Sequence, residues 1–191
     1  MGVGHLSGRP AVFLDRDGVL NQSLIGADGV PRPPAGLAQF ALVDGAAEAC
    51  CRLGALGLLR IVVTNQPDVA RGTQRREVVE AIHQRLRESV SVDDIRICYH
   101  DDDDLCDCRK PKPGLLLSAA NDWGIDLAAS FMIGDRWRDI EAGQRAGCTT
   151  ILIDTRTTQP LAIEPTVRVE SLSSAVSWIS ERVARATGAA R

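Results

Sequence analysis

Two aspartates spaced two residues apart follow the first apolar run of the chain, in AVFLDRDGVLN at residues 11–21. On an extended backbone, Asp15 and Asp17 project to the same side. If the preceding residues form a parallel strand, its carboxyl end is also where open α/β sheets bind ligands, beside the flexible Gly18. Two carboxylates there suit metal-assisted chemistry on a phosphate, although an acidic turn after a strand is also a common structural feature.

Three later segments contain polar residues that could bind a phosphate or a metal ion. LRIVVTNQ carries Thr64, FMIGDRWRD carries Asp135 and Asp139, and CRKPKPG puts Lys110 just before a proline-bounded helix start. A lysine at the start of a helix is unfavourable because its charge opposes the helix dipole. Binding of a phosphate would explain its position. Taken alone, Thr64 could equally cap a strand end. Asp139 either binds a metal through water or opens the following helix.

Attack of a carboxylate on a phosphate dianion is opposed by charge repulsion, so such a site must contain positive charge. Lys110 and a divalent cation would supply it. Mg²⁺ prefers hard oxygen ligands in octahedral geometry and keeps several waters. The carboxylates of Asp15 and Asp135, the backbone carbonyl of Asp17 and a substrate phosphate would form such a shell.

The ordered set of Asp15, Asp17, Thr64, Lys110 and Asp135 resembles the four motifs of the haloacid dehalogenase superfamily of phosphohydrolases. The resemblance implies that Asp15 attacks phosphorus in line and forms an aspartyl phosphate. It implies that Asp17 protonates the leaving alcohol and then deprotonates the hydrolytic water. Thr64 would hydrogen-bond the phosphoryl oxygens as their charge shifts.

Longer segments, namely FLDRDGVLN, VVTNQPDVARG, CDCRKPKPGLLL and GDRWRDIEAG, resemble the heptose bisphosphate phosphatases and their histidinol-phosphatase relatives over residues 10–154. That family implies magnesium-dependent removal of the 7-phosphate from a heptose 1,7-bisphosphate, on the route to nucleotide-activated heptose. It assigns substrate binding to Asn65, Gln66, Arg109 and Arg136. Arg109 would hold the second phosphate, which an arginine fork suits.

Two alternatives to the heptose substrate remain at this point. The segment after Asn21 and the valine at Val19 depart from the family pattern, so histidinol phosphate or another small phosphate ester stays open as substrate. A more distant alternative is an inactive binding domain that kept the fold. It predicts broken motifs, and none is broken here.

One short segment, CYHDDDDLCDC, contains Cys98, His100, Cys106 and Cys108. In a chain without an export signal, disulfides are disfavoured, whereas three thiolates and one imidazole form a full tetrahedral set for zinc. We expect a structural Zn²⁺ that staples this loop, because four protein ligands leave no position for an activated water. The alternative is ordinary thiols in a mobile acidic loop. The aspartates at 101–104 are assigned no chemistry.

Length and composition predict a single soluble domain. The chain has 191 residues, of which 45% are hydrophobic and 25% charged, and its net charge of −3 gives no general attraction to nucleic acid or to an anionic membrane. The start lacks the apolar core of a signal peptide, and the most apolar window is broken by Arg60. We expect a cytoplasmic monomer or weak homodimer that binds a small phosphorylated sugar or similar ester. Cys50, Cys51 and Cys148 are expected to pack as small apolar side chains.

Apolar periodicity predicts alternating strands and helices. Strands are predicted at 10–15, 59–64, 95–100, 130–134 and 149–153, and helices near 44–56, 74–90, 114–123, 137–146 and 171–186. This order predicts a Rossmann-like three-layer α/β sandwich with a central parallel sheet, a zinc-stapled loop and no large cap domain. Residues 10–186 form the expected single phosphatase domain, with flexible ends at 1–9 and 187–191. A polar, proline-rich loop follows the first strand, and residues 155–166 form a connection.

Overall fold

A computed structural model describes residues 8–154 and 163–188 of the chain. Most of the predicted flexible N-terminus, the greater part of the connection at 155–166, and residues 189–191 lie outside the described residues. The strands are β1 (Ala11–Leu14), β2 (Leu24–Ile25), β3 (Pro31–Arg32), β4 (Leu59–Asn65), β5 (Asp94–Cys98), β6 (Phe131–Gly134), β7 (Thr149–Ile153) and β8 (Val167–Val169). The helices are α1 (Ala46–Ala55), α2 (Arg76–Ser89), α3 (Gly114–Trp123), α4 (Trp137–Ala146) and α5 (Leu172–Gly188).

Six strands form a parallel sheet in the order β5-β4-β1-β6-β7-β8. Side chains of β1 alternate between its two faces, as a pleated strand requires. Val12 and Leu14 join the core beneath α1, α2 and α5, whereas Ala11 and Phe13 join the core beneath α3 and α4. Because helices cover both faces, β1 and β6 at the centre of the sheet contain no polar side chain. The predicted three-layer sandwich is confirmed.

The helices are amphipathic, and their buried residues recur at helical spacing. In α2 the inward face consists of Val79, Ile82 and Leu86, together with the fully buried His83. In α5 the hydroxyl of Ser171 accepts a hydrogen bond of 3.1 Å from the backbone N–H of Ser174, which makes Ser171 the cap of this helix.

Several local expectations differ from the structure. The loop after β1 contains an antiparallel hairpin, β2 with β3, and a 3-10 turn at Leu37–Gln39. The sixth strand, β8, was not predicted, because a three-residue strand gives little periodic signal. The strand predicted at 95–100 ends at Cys98, which leaves His100 in the following loop. The packing prediction holds for the buried Cys50 and Cys148 and is wrong for Cys51, which lies on the exposed face of α1.

Along residues 8–154 and 163–188, no cap domain interrupts the sheet; only the hairpin and short loops separate β1 from α1. None of the helices in this part of the chain combines the length and the apolar character needed to cross a membrane. In these residues, the cover over the carboxyl ends of the central strands consists of loops and the short hairpin of β2 with β3.

Candidate active site

The strand order brings the predicted site residues together. β1 lies between β4 and β6, so the residues that end these three strands meet at one edge of the sheet. Asp15 and Asp17 follow β1, Thr64 lies near the end of β4, and Asp135 follows β6. All four side chains are buried, with at most 8% of each residue exposed.

Lys110 reaches this edge from the loop before α3. Its Nζ donates to Asp15 Oδ1 at 2.7 Å, to Asp139 Oδ1 at 2.6 Å and to the carbonyl oxygen of Val63 at 2.8 Å. Burial alone would lower the pKa of Lys110, but the carboxylates of Asp139 and Asp15 raise it well above its usual range. The lysine is therefore a fixed positive charge beside Asp15. Asn65 fixes its loop by exchanging two hydrogen bonds, of 2.9 and 3.1 Å, with the Lys110 backbone.

Three carboxylates form a cluster suited to a hard cation. Oxygens of Asp15, Asp135 and Asp139 lie within 4.8 Å of one another, and Asp135 Oδ1 is buried without a hydrogen-bond partner. Burial raises the pKa of Asp15 to about 6 against the opposing charge of Lys110. Burial and the neighbouring carboxylates raise the pKa of Asp135 to about 8. An orphaned oxygen among crowded carboxylates fits a divalent cation such as Mg²⁺.

Two glycines allow this crowding. Gly18 has a φ of +89°, and a Cβ atom there would lie 2.4 Å from Asp135 Oδ2. A Cβ atom on Gly134 would lie 2.1 Å from Cβ of Asp139. Asp139 also accepts a hydrogen bond of 3.1 Å from the backbone N–H of Arg136, so it opens α4 while its other oxygen contacts Lys110. The helix-opening role considered for Asp139 is therefore observed, and its place beside Asp15 and Asp135 leaves a metal contact through water as a prediction.

Asp17 is held by donors on several sides. Arg16 donates two hydrogen bonds from Nη2, of 2.9 and 2.8 Å, to the two carboxylate oxygens. Asn21 donates to Oδ1 at 3.0 Å, and Gln66 donates to Oδ2 at 2.9 Å and to the Thr64 hydroxyl at 2.9 Å. Burial alone would raise the pKa of Asp17, but these donors, with the Arg16 charge foremost, lower it. The resting carboxyl is therefore ionised.

Sequence reasoning missed the support behind Asp17. Arg16 is fully buried, and its Nη1 lies 2.8 Å from His83 Nε2 on the inward face of α2. Because the guanidinium can only donate, Nε2 accepts and the proton resides on Nδ1. The available signals were an arginine between the two aspartates that follow an apolar strand, and a lone histidine on the apolar face of a helix.

A cavity of about 300 Å³ opens onto Asp15 and Asp17. Cationic side chains outnumber carboxylates in its wall, and the cations are Arg32, Arg71, Arg109, Lys110, Arg136 and Arg138. Arg109 is buried, whereas Arg136 is exposed and donates a long hydrogen bond of 3.4 Å to the carbonyl of Pro31. Such a lining favours an anionic ligand.

The cysteine and histidine segment folds into a compact cluster after β5. The ligand atoms of Cys98, His100, Cys106 and Cys108 lie within 4.8 Å of one another. The Cys98 and Cys106 sulfurs are 3.9 Å apart, and His100 Nδ1 lies 3.2 Å from Cys108 Sγ. Tetrahedral zinc with bonds of about 2.0–2.3 Å separates its ligands by roughly 3.4–3.8 Å. The four side chains therefore fit a closed tetrahedral metal site.

This combination of sheet, carboxylates and lysine defines a phosphatase of the haloacid dehalogenase type. Residues 107–175 match the HAD-hydrolase-like family. The chain is 38% identical over 152 residues to the D-glycero-beta-D-manno-heptose-1,7-bisphosphate 7-phosphatase of Pseudomonas aeruginosa, covering 77% of this chain and 82% of that protein. It is 33% identical over 187 residues to the Escherichia coli K12 protein of the same name, covering 92% and 90%.

A solved structure agrees with these relatives. The D,D-heptose 1,7-bisphosphate phosphatase of B. bronchiseptica, complexed with magnesium and phosphate, is similar with a TM-score of 0.77 and 32% identity. The match covers 91% of this chain and 99% of that one. The chain belongs to the haloacid dehalogenase superfamily of phosphatases, in the family that contains these proteins.

Proposed function

We propose that this protein is a magnesium-dependent phosphatase that removes the 7-phosphate of D-glycero-D-manno-heptose 1,7-bisphosphate. The observation that carries the chemistry is the position of Asp15, with Lys110 Nζ 2.7 Å from one oxygen and Asp135 and Asp139 beside it. The names of the relatives support the heptose substrate.

Asp15 is the nucleophile of this proposal. Its oxygen attacks phosphorus, the bond from phosphorus to the sugar oxygen breaks, and an aspartyl phosphate forms. Lys110 and the Thr64 hydroxyl stabilise the charge on the phosphoryl oxygens. Mg²⁺, held by Asp15, Asp135 and the backbone carbonyl of Asp17, would supply further positive charge when bound. Asp139 steadies Lys110 through its hydrogen bond of 2.6 Å.

Asp17 is the general acid and then the general base of this proposal. The leaving sugar oxygen takes a proton from the Asp17 carboxyl, and the ionised carboxylate then removes a proton from the water that attacks the aspartyl phosphate. Because Arg16, Asn21 and Gln66 lower the pKa of the resting carboxyl, the first proton must be taken up when substrate binds. A phosphate monoester with a second pKa of about 6 brings such a proton in part of its population.

The cavity wall favours a substrate with two phosphates over histidinol phosphate. Arg109 lies beside Lys110, and its guanidinium lines the cavity outside the carboxylate cluster. A second phosphate bound there would gain the planar, charged donors that arginine provides. Arg136 at the rim, with Asn65 and Gln66 at the end of β4, completes the proposed substrate contacts.

The proposal includes a structural Zn²⁺ in the four-residue cluster and a cytoplasmic location. All six cysteines are free, which suits a reducing compartment. We further propose that the phosphatase acts as a monomer or weak homodimer on a small phosphorylated sugar, with neither nucleic acid nor membrane as partner. Its domain would span residues 10–186.

The test compares two substrates with Mg²⁺ present. We expect kcat/KM for the 1,7-bisphosphate to exceed that for histidinol phosphate by about a hundredfold, which corresponds to about 2.7 kcal/mol of transition-state stabilisation. Comparable slow turnover of both compounds would refute the heptose substrate while leaving the chemistry in place. No turnover of any phosphate ester would refute the phosphatase itself.

A further inference from the structure

The acidic run at 101–104, to which the sequence assigned no chemistry, contacts the arginines of the cavity. Asp102 Oδ1 accepts a hydrogen bond of 2.8 Å from Arg109 Nε and lies 3.7 Å from Arg138 Nη2. Asp102 Oδ2 lies 3.7 Å from Arg71 Nη2. One carboxylate thus meets three guanidiniums that come from three separate segments of the chain.

The three arginines and the aspartate differ in how firmly they are held. The Arg109 side chain is only 8% exposed, and it also donates to the carbonyl oxygen of His100 at 3.3 Å. Arg138 Nε is buried without a hydrogen-bond partner. The Asp102 side chain, in contrast, is 57% exposed. The Arg138 and Arg71 side chains lie between these extremes, at 38% and 42% exposed. The Asp102 carboxylate is therefore the most exposed of the four groups, and it can leave its position with less rearrangement than Arg109 can.

Asp101 keeps one of these arginines in place independently of Asp102. Its Oδ2 accepts a hydrogen bond of 2.7 Å from Arg71 Nε. Arg71 Nη1 also lies 3.4 Å from Asp68 Oδ1, so the carboxylates of Asp68, Asp101 and Asp102 together balance the three guanidiniums. Loss of the Asp102 contact would leave one positive charge uncompensated, which an incoming phosphate can neutralise.

We propose that Arg71, Arg109 and Arg138 form one anion subsite, and that Asp102 is an internal counter-ion which the second phosphate of the substrate displaces. The inference rests on the proposed bisphosphatase function and adds Arg71, Arg138 and Asp102 to it. A phosphate offers three terminal oxygens to three guanidiniums, whereas a carboxylate offers two. Asp102 therefore keeps the arginines oriented before substrate arrives and also competes with its second phosphate.

The first test replaces the competing carboxylate. Substrates are the 1,7-bisphosphate and the matching 7-monophosphate, and the readout is the ratio of their kcat/KM values. Asp102→Asn should raise the preference for the bisphosphate about fivefold, mainly through a lower KM, because the exposed ion pair no longer competes. The control is Asp103→Asn, an exposed aspartate of the same run for which the described residues show no ion pair. It should leave the ratio unchanged.

The second test removes an arginine. Arg138→Gln should lower the preference for the bisphosphate about tenfold, through a higher KM for that substrate. An unchanged ratio in both variants would overturn the inference. A lower bisphosphate preference in Asp102→Asn would also overturn it, since Asp102 would then only position Arg109. Wild-type protein that fails to cleave the bisphosphate would instead refute the proposed function, so the two failures are distinguishable.

Discussion

At the scale of single residues, Asp17 is positioned by a buried arginine that does not itself face the cavity. Arg16 contacts both carboxylate oxygens of Asp17, and His83 accepts from the other side of the guanidinium. Hydrogen bonds to charged groups are worth about 1.5–3 kcal/mol each when one partner is removed. The Arg16 and His83 pair therefore fixes the orientation and the protonation state of the group that transfers protons.

Arg16→Met should lower kcat about 10-fold to 100-fold and leave KM within about twofold, because substrate does not touch Arg16. Without the guanidinium, the pKa of Asp17 rises, so the limb of the pH profile for kcat that reports Asp17 should move to higher pH, whether Asp17 limits the rate as acid or as base. Arg16→Lys, which keeps the charge, should recover part of the rate. A lower kcat with an unshifted profile would mean that Arg16 is merely a packing residue.

His83 should make stability depend on pH. Burial, helped by the charge of Arg16, lowers the pKa of His83 to about 3, whereas the unfolded residue titrates near 6.5. As pH falls below 6.5, only the unfolded chain takes up this proton, so stability present above that pH is progressively lost. Between pH 7.5 and 5.5, wild type should lose about 1.4 kcal/mol more than His83→Gln in urea unfolding. Parallel losses in the two proteins would contradict this.

At the scale of elements, the loop after β5 joins the cluster of three cysteines and His100 to the site lysine. Cys98 ends β5, and Cys108 lies two residues before Lys110. Binding of Zn²⁺ would restrain the same short stretch that carries Arg109 and Lys110 into the cavity. A structural zinc site contributes directly to the free energy of folding.

Removal of Zn²⁺ by a strong chelator should therefore lower Tm by about 10 °C. At about 2–4 °C for each kcal/mol in a chain of this size, that shift corresponds to a loss of roughly 2.5–5 kcal/mol in the free energy of unfolding. Added Zn²⁺ should restore Tm, and Mg²⁺ should not. Cys108→Ser should reproduce the loss, whereas Cys51→Ser, on the exposed face of α1, is the matched control. An unchanged Tm after chelation would contradict a structural zinc site.

The sequence predicted those elements whose signal is local. Runs such as those before Asp15 and Asp135 are apolar because both faces of a parallel strand are covered, and that pattern is visible without a structure. β8 and the hairpin of β2 with β3 depend on pairing partners, and segments of two or three residues carry no periodicity.

The candidate site also contains residues that the sequence predicted and contacts that it could not predict. Asp15, Asp17, Thr64, Lys110 and Asp135 come together because parallel strands end at one edge, a rule that sequence reasoning could apply. The contact of Arg16 with His83 joins residues 67 positions apart, and it depends on how α2 packs against the sheet. Charge pairing between the acidic run and the arginines likewise appears only once the loops are placed.

At the scale of the whole molecule, charge is distributed unevenly. The chain carries a net charge of −3, yet arginines and a lysine dominate the cavity at the carboxyl edge of the sheet. A negatively charged exterior with a local positive cavity favours small anions over extended polyanions. Because loops and the short hairpin of β2 with β3 cover this edge in the described part of the chain, selectivity must come from the cavity wall that they form.

Asp15 as the nucleophile of a phosphatase can be checked by one kinetic comparison. Phosphate release from the 1,7-bisphosphate with Mg²⁺ is measured for wild type, Asp15→Asn and the exposed control Asp44→Asn. We expect a loss of roughly 10⁴-fold in kcat for Asp15→Asn, wild-type turnover for Asp44→Asn, and closely similar Tm values for all three. Turnover by folded Asp15→Asn within about tenfold of wild type would contradict this role of Asp15.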